Sequence, residues 1–231
     1  MSVRTTGAPG ASVIASRRWL AFDHVYAACG ADSQGMNLAD KYRNFAALDA
    51  GERCGIDYRV RLADLGTAII VIAPHGGEIE PGTSELTLEI ARGDYAFYAF
   101  EGLRRGRLHG DLHLTSTRFD EPRGLALIGA ADTAIAVHGR ADNGDAWTIW
   151  AGGRAEAFRD AVATSLIASG FKVTNVDGGL AGREAANICN RGASGTGVQL
   201  EIPRTLRRHL RRDPTALRQF GDAVRLAMLD R

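Results

Sequence analysis

Ala68-Ile69-Ile70-Val71-Ile72-Ala73, running into Pro74-His75-Gly76-Gly77, is the stretch that decides the fold class. An unbroken apolar run rich in β-branched residues fits a strand buried on both faces, which is the habit of parallel sheets covered by helices. Pro74 and the two glycines then stop it. Ala134-Ile135-Ala136-Val137 repeats the pattern and ends in His138-Gly139. Further strands are expected at 58–62, 95–100, 112–119, 147–150, 171–176 and 198–202. Leu38, Tyr42, Phe45 and Leu48 have helical spacing. Helices are also expected at 83–93 (capped by Thr83 or Ser84), 125–130 and 154–168, then around Leu206 and from Pro214. Strands alternating with helices predict a single α/β domain, a mixed central sheet flanked by helices. Residues 1–36, rich in Gly, Ala and Ser without a period, read as a flexible N-terminal extension to a domain at 37–231.

Composition narrows the function classes. The chain has 231 residues, 45% apolar and 24% charged, which is globular and neither disordered nor collagenous. No apolar run reaches the roughly 18 residues of a membrane span. With 28 Lys+Arg against 27 Asp+Glu there is no global field to attract nucleic acid. Neither a nucleic acid nor a membrane is therefore an expected partner, and a monomer is expected. Cys29, Cys54 and Cys189 are odd in number and form no Cys-x-x-Cys pair, which argues against a disulfide framework and a thiolate zinc site. Only Lys41 and Lys172 are lysine among the basic residues, a skew that reads as base composition. Ser16-Arg17-Arg18-Trp19-Leu20-Ala21-Phe22 looks like a twin-arginine export signal, but Asp23 and His24 interrupt the apolar stretch a signal needs. Cytoplasmic and released locations both stay open.

His75 and His138 each follow an apolar strand directly, 63 residues apart. In open α/β sheets the ligand crevice lies beyond the carboxyl ends of the strands, so both imidazoles belong in one crevice. Each taken singly is a capping or core histidine; as a pair they fit two-histidine-plus-carboxylate metal ligation. Glu78 and Glu80, three and five residues after His75, supply carboxylates. Zinc held this way keeps a position open for water, and the reaction then needs a base. Glu201, at the end of the 198–202 strand, is the candidate by position; the alternative is an outward-facing strand residue.

Several blocks, taken together, resemble the phage and bacterial poly-γ-glutamate hydrolases. They are Pro74-His75-Gly76-Gly77, Glu80-Pro81-Gly82-Thr83-Ser84-Glu85, Phe100-Glu101-Gly102, Leu112-His113-Leu114-Thr115-Ser116-Thr117 and Phe119-Asp120-Glu121-Pro122. Asn187-Ile188-Cys189-Asn190-Arg191-Gly192 and Gly197-Val198-Gln199-Leu200-Glu201 continue the match, as do Asp40-Lys41-Tyr42 and Gly55-Ile56-Asp57-Tyr58 upstream. The resemblance implies a fold related to the zinc carboxypeptidases and one zinc ion. It implies His75, Glu80 and His138 as ligands and Glu201 as general base in cleavage of γ-glutamyl amide bonds. The chain departs from the family in carrying Glu78, since His75-x-x-Glu78 has the spacing of the broader zinc carboxypeptidases; Glu78 is thus the alternative ligand. Asn190-Arg191 resembles the pair with which carboxypeptidases grip a substrate carboxylate, against the alternative of a salt-bridged surface arginine. His113 is a core histidine, a partner of a ligand or a substrate contact. The competing functions are a zinc amidase or peptidase on another acyl-amino acid or cell-wall fragment, and a non-catalytic, phage-replication-associated metal-binding protein.

Overall fold

Among the described residues, seven strands form one mixed sheet. They are β1 (Tyr58–Ala63), β2 (Ile69–Gly77), β3 (Ala96–Gly102), β4 (Thr133–Arg140), β5 (Thr148–Gly153), β6 (Lys172–Asn175) and β7 (Val198–Pro203), in the order β1-β3-β2-β4-β7-β5-β6. β3, β2, β4 and β7 run parallel at the centre. β1 is antiparallel to β3, and β5, which carries β6 parallel beside it, is antiparallel to β7. The computed structural model describes residues 40–229; the extension expected at 1–36 and Leu38 lie outside them.

Both faces of the sheet are covered, as the unbroken apolar strands demand. Ile69 and Val71 of β2 join Ile135, Val137, Val198 and Leu200 on one face. There they pack against α2 (Thr83–Ala91), α4 (Glu156–Ala168), α5 (Arg204–Arg212) and α6 (Pro214–Leu229) through Leu86, Phe158, Leu206 and Phe220. Ile70 and Ile72 point the other way and meet Tyr98, Phe100, Ala134 and Ala136. This second face is covered by α1 (Phe45–Gly51) and α3 (Pro122–Ala130), with Phe119 and Ile188 completing it. Each fully buried Ile or Val contributes about 1.5–3 kcal/mol, so these strands dominate the stability of the domain.

Three local expectations are corrected. Residues 112–119 form no strand. Leu112, Leu114 and Phe119 do enter the core, which produces the alternation, but the backbone N–H of Thr115 goes to the Asp40 side chain instead of a neighbouring strand. The first helix begins at Phe45, because Asn44 caps it by accepting from Ala47 N–H at 3.0 Å. Tyr42 lies ahead of the helix and gives its hydroxyl to Glu52. The cap of α2 is Gly82, at φ 109°, and neither Thr83 nor Ser84. Their hydroxyls hold the β2–α2 turn: Thr83 donates to the carbonyls of His75 and Glu80, and Ser84 accepts from Gly77 N–H.

Candidate metal centre and active site

The carboxyl ends of β2, β4 and β7 are neighbours, and each delivers one functional residue. His138 and Glu201 are register partners on β4 and β7, so their side chains share a face. Strict alternation along β2 would send His75 to the opposite face, with Val71 and Ala73. A register shift between Ala73 and Gly76 prevents this. The irregularity lets His75 join His138 on the face of Ile70 and Ile72. Glu80 comes from the turn after β2 and accepts from Gly139 N–H at 2.7 Å.

Three potential ligands converge. His75 Nδ1 lies 3.1 Å from His138 Nδ1 and 3.3 Å from Glu80 Oε1; His138 Nδ1 lies 3.9 Å from Glu80 Oε2. Zinc–ligand bonds of about 2.0–2.1 Å in a tetrahedron place ligand atoms about 3.3 Å apart, so the set fits zinc with modest closure. His75, Glu80 and His138 are 1%, 6% and 3% exposed, which shields the site from bulk water. His75 Nε2 lies 2.9 Å from Leu114 O; that bond puts a proton on Nε2, and Nδ1 is the nitrogen that faces the centre.

His113 makes a rival set with His75 and Glu80, whose ligand-capable atoms lie within 4.8 Å of one another. Ring geometry differs between the two sets. The His75 and His113 rings are tilted, with centroids 4.0 Å apart and planes at 35°; those of His75 and His138 stand 4.9 Å apart at 59°. Two imidazoles on one tetrahedral ion splay to about 5 Å between centroids, which the His138 pair matches. The Nδ1–H of His113 is also given to Asp40, at 2.6 Å. His113 lies between His75 and His109, with centroids 4.0 and 4.3 Å away.

The electrostatics suit a cation. Burial alone would raise Glu80, but the charge of His75 and hydrogen bonds from His109 and His75 outweigh it, holding Glu80 well below the usual carboxylate range. Burial also opposes protonation of His75, and Glu80 outweighs it, so His75 is raised. His138 is pushed down to about 3 by burial and by His75, and stays neutral. An ionised carboxylate and a neutral imidazole are the forms that bind metal, so Glu80 and His138 are already in that form, while His75 gives up its second proton on binding. Burial, with the Glu80 charge adding to it, pushes Glu201 up to about 8. Gln199, two residues before it on the same face, donates to Glu201 Oε1 at 2.9 Å and to Leu180 O, and accepts from Asn187 Nδ2. Trp150, the register partner of Glu201 on β5, lines a cavity of about 460 Å³ with Asn175, Gly178 and Leu180.

The remaining sequence candidates fall elsewhere. Glu78 stands outside the convergent set, with its carboxylate 3.6 Å from Arg105. Asn190 is buried, and its amide is spent on backbone: it donates to Gly182 O and Glu184 O and accepts from Gly197 N–H and Arg154 N–H. Arg191 is exposed, beside the amino ends of β4 and β7. His138 lies five residues along β4 from Thr133, about 17 Å at the rise of an extended strand, beyond the reach of an arginine side chain from that end. Sequence reading passed over Asp40 and Arg207. Arg207 is 4% exposed, occupies the space a side chain at Gly139 would take, and donates to Ile202 O. The helical period of α5 hides such a residue, because a buried arginine there reads as a surface one.

Comparison with known proteins places the chain in a family. The profile of the poly-gamma-glutamate hydrolase family matches residues 42–219, a span holding His75, Glu80, His138 and Glu201. The SPbeta prophage-derived protein YoqZ of Bacillus subtilis (strain 168) is 39% identical over 174 residues, 74% of this chain and 62% of YoqZ. The chain thus spans less than two thirds of the length of that relative. A bacteriophage poly-gamma-glutamate hydrolase structure superposes with a TM-score of 0.78 at 28% identity, covering 83% of this chain and 98% of that one. The zinc-free apo structure of YndL gives 0.75 at 30% identity with the same coverage. A profile match over most of the sequence, with the same fold beneath it, means that the chain belongs to the poly-gamma-glutamate hydrolase family.

Proposed function

We propose that this protein is a zinc-dependent hydrolase of amide bonds whose substrate is a γ-glutamyl polymer. The observation that carries the reading is the convergence of His75 Nδ1, His138 Nδ1 and Glu80 within 3.1–3.9 Å, with Glu201 as register partner of His138, in a chain of this family. The fact that a relative, YndL, has been solved in a form described as zinc-free supports zinc as the metal.

When bound, zinc supplies a Lewis acid that polarises the amide carbonyl and acidifies water. His75, His138 and Glu80 would hold it. Glu201 takes the proton from the attacking water and returns it to the leaving nitrogen as the carbon–nitrogen bond breaks. Its carboxyl is buried and held by Gln199, so it stays aimed at the reacting atoms. A raised affinity for protons suits a group that must take one up near neutral pH.

The test offers zinc-loaded protein poly-γ-glutamate and α-linked polyglutamate in parallel, with Glu201→Gln as control. Shortening of the γ-linked polymer alone is the expected result, with a loss of at least about 10³-fold in Glu201→Gln, the upper part of the range for a proton-transfer group. If wild type shortens neither polymer, the substrate reading fails. Undiminished activity in Glu201→Gln would remove Glu201 from the mechanism.

A further inference from the structure

Asp40 lies outside every ligand set considered above, yet it is tied to the metal centre by two routes. Its carboxyl is 4% exposed and receives four hydrogen bonds. They come from His113 Nδ1 (2.6 Å), Thr115 N–H (2.7 Å), the Thr115 hydroxyl (2.8 Å) and Arg118 Nη2 (2.7 Å). The second of these belongs to the peptide unit whose carbonyl, Leu114 O, lies 2.9 Å from His75 Nε2. A trans peptide points its N–H and C=O in opposite directions, so one planar unit joins the two groups.

We propose that Asp40 is a positioning residue of the metal centre, acting on the ligand His75 through the Leu114–Thr115 peptide unit and through the adjoining ring of His113. The relay runs from the Asp40 carboxylate to Thr115 N–H, across the amide to Leu114 O, and on to the Nε2–H of His75, whose Nδ1 faces the metal. Hydrogen bonds in series polarise one another, so a carboxylate at the far end makes Leu114 O a stronger acceptor. A stronger acceptor fixes the His75 tautomer and makes its Nδ1 a better donor to metal. Metal-bound histidines commonly lean on a carboxylate directly; here a peptide unit stands between the two. The second route is mechanical. Asp40 holds His113 against His75, with centroids 4.0 Å apart and planes inclined by 35°, which limits how far the ligand ring can turn. Segment 112–118 has no strand neighbour to position it, so Asp40 supplies the anchor that a sheet would otherwise give.

This inference rests on the zinc reading of the site, and the experiment separates the two. Zinc affinity of metal-free protein is measured by chelator competition for wild type, Asp40→Asn and Asp40→Ala, alongside thermal unfolding of each metal-free chain. Asp40→Asn keeps an acceptor for Thr115 but loses the charge. The expected result is zinc binding weakened about 10–100-fold in Asp40→Ala, the usual cost of losing an outer partner of a ligand, and by an intermediate factor in Asp40→Asn. Affinity within twofold of wild type in both variants would overturn the relay and leave the zinc reading standing. A wild-type chain that binds no zinc would overturn both. If neither variant folds, the imidazole nitrogen resonances of zinc-loaded wild type decide. Zinc on His75 Nδ1 with a retained Nε2–H supports the relay, and zinc on Nε2 overturns it.

Discussion

Glu201 is 5% exposed, and burial pushes its carboxyl up to about 8, far above the value it has in the unfolded chain. A buried base stores a penalty that depends on pH. Because the folded value lies above the unfolded one, the unfolded chain gives up this proton first as pH rises, so metal-free stability falls from about pH 4.5 through about pH 8. Glu201→Gln removes the ionisable group. The metal-free variant is therefore expected to exceed metal-free wild type in stability by a few kcal/mol at pH 8, with the gap closing toward pH 5. Urea unfolding across that range reads it, and a gap that does not change with pH would show that Glu201 is not charged at this cost. At this scale His75, His138 and Glu201 stand out in the sequence because each interrupts or ends an apolar run, and the fold brings all three to the carboxyl ends of neighbouring strands. Arg191, whose neighbours in sequence suggest a carboxylate grip, lies at the amino ends of β4 and β7, away from the histidines. Adjacency along the chain carries no information about which end of a sheet a loop occupies.

The elements show how β2 turns an apolar strand into one arm of a metal centre. The register shift between Ala73 and Gly76 moves His75 to the working face, and Gly77 then turns the chain toward Glu80 at φ 63°. A Cβ at Gly77 would meet the backbone oxygen of Gly102 at 2.3 Å, and that oxygen belongs to the paired strand β3. Gly77→Ala is therefore expected to cost at least about 2 kcal/mol, combining left-handed backbone strain with a contact that cannot yield. Denaturant unfolding reads the loss, and a change below about 0.5 kcal/mol would mean the turn re-forms without strain. The shift itself was not legible. Pro74 marks the end of the run, but a proline does not state by how many residues pairing slips. The 112–119 segment failed for a related reason. Alternating apolar residues record which side chains are buried, and a side-chain anchor such as Asp40 can order an extended segment as a neighbouring strand does.

For the whole molecule, the two apolar runs that stop at a histidine fixed more than any other feature. Their two-sided burial required helices on both faces, and their shared direction required a parallel centre, so both histidines had to emerge at one end of the sheet. The antiparallel placement of β1 and β5 at the flanks was not legible, since nothing in a short strand names its neighbour. Neutral overall charge does not weigh against the proposed substrate, because the proposed chemistry is local to the carboxyl ends of three strands. The central claim concerns which imidazole, His138 or His113, completes the zinc site with His75 and Glu80. Calorimetric zinc titration of the metal-free wild type, His138→Ala and His113→Ala answers it. The expected outcome is about one zinc per chain in wild type, near-complete loss in His138→Ala and retained binding in His113→Ala. Zinc kept by His138→Ala and lost by His113→Ala would contradict it.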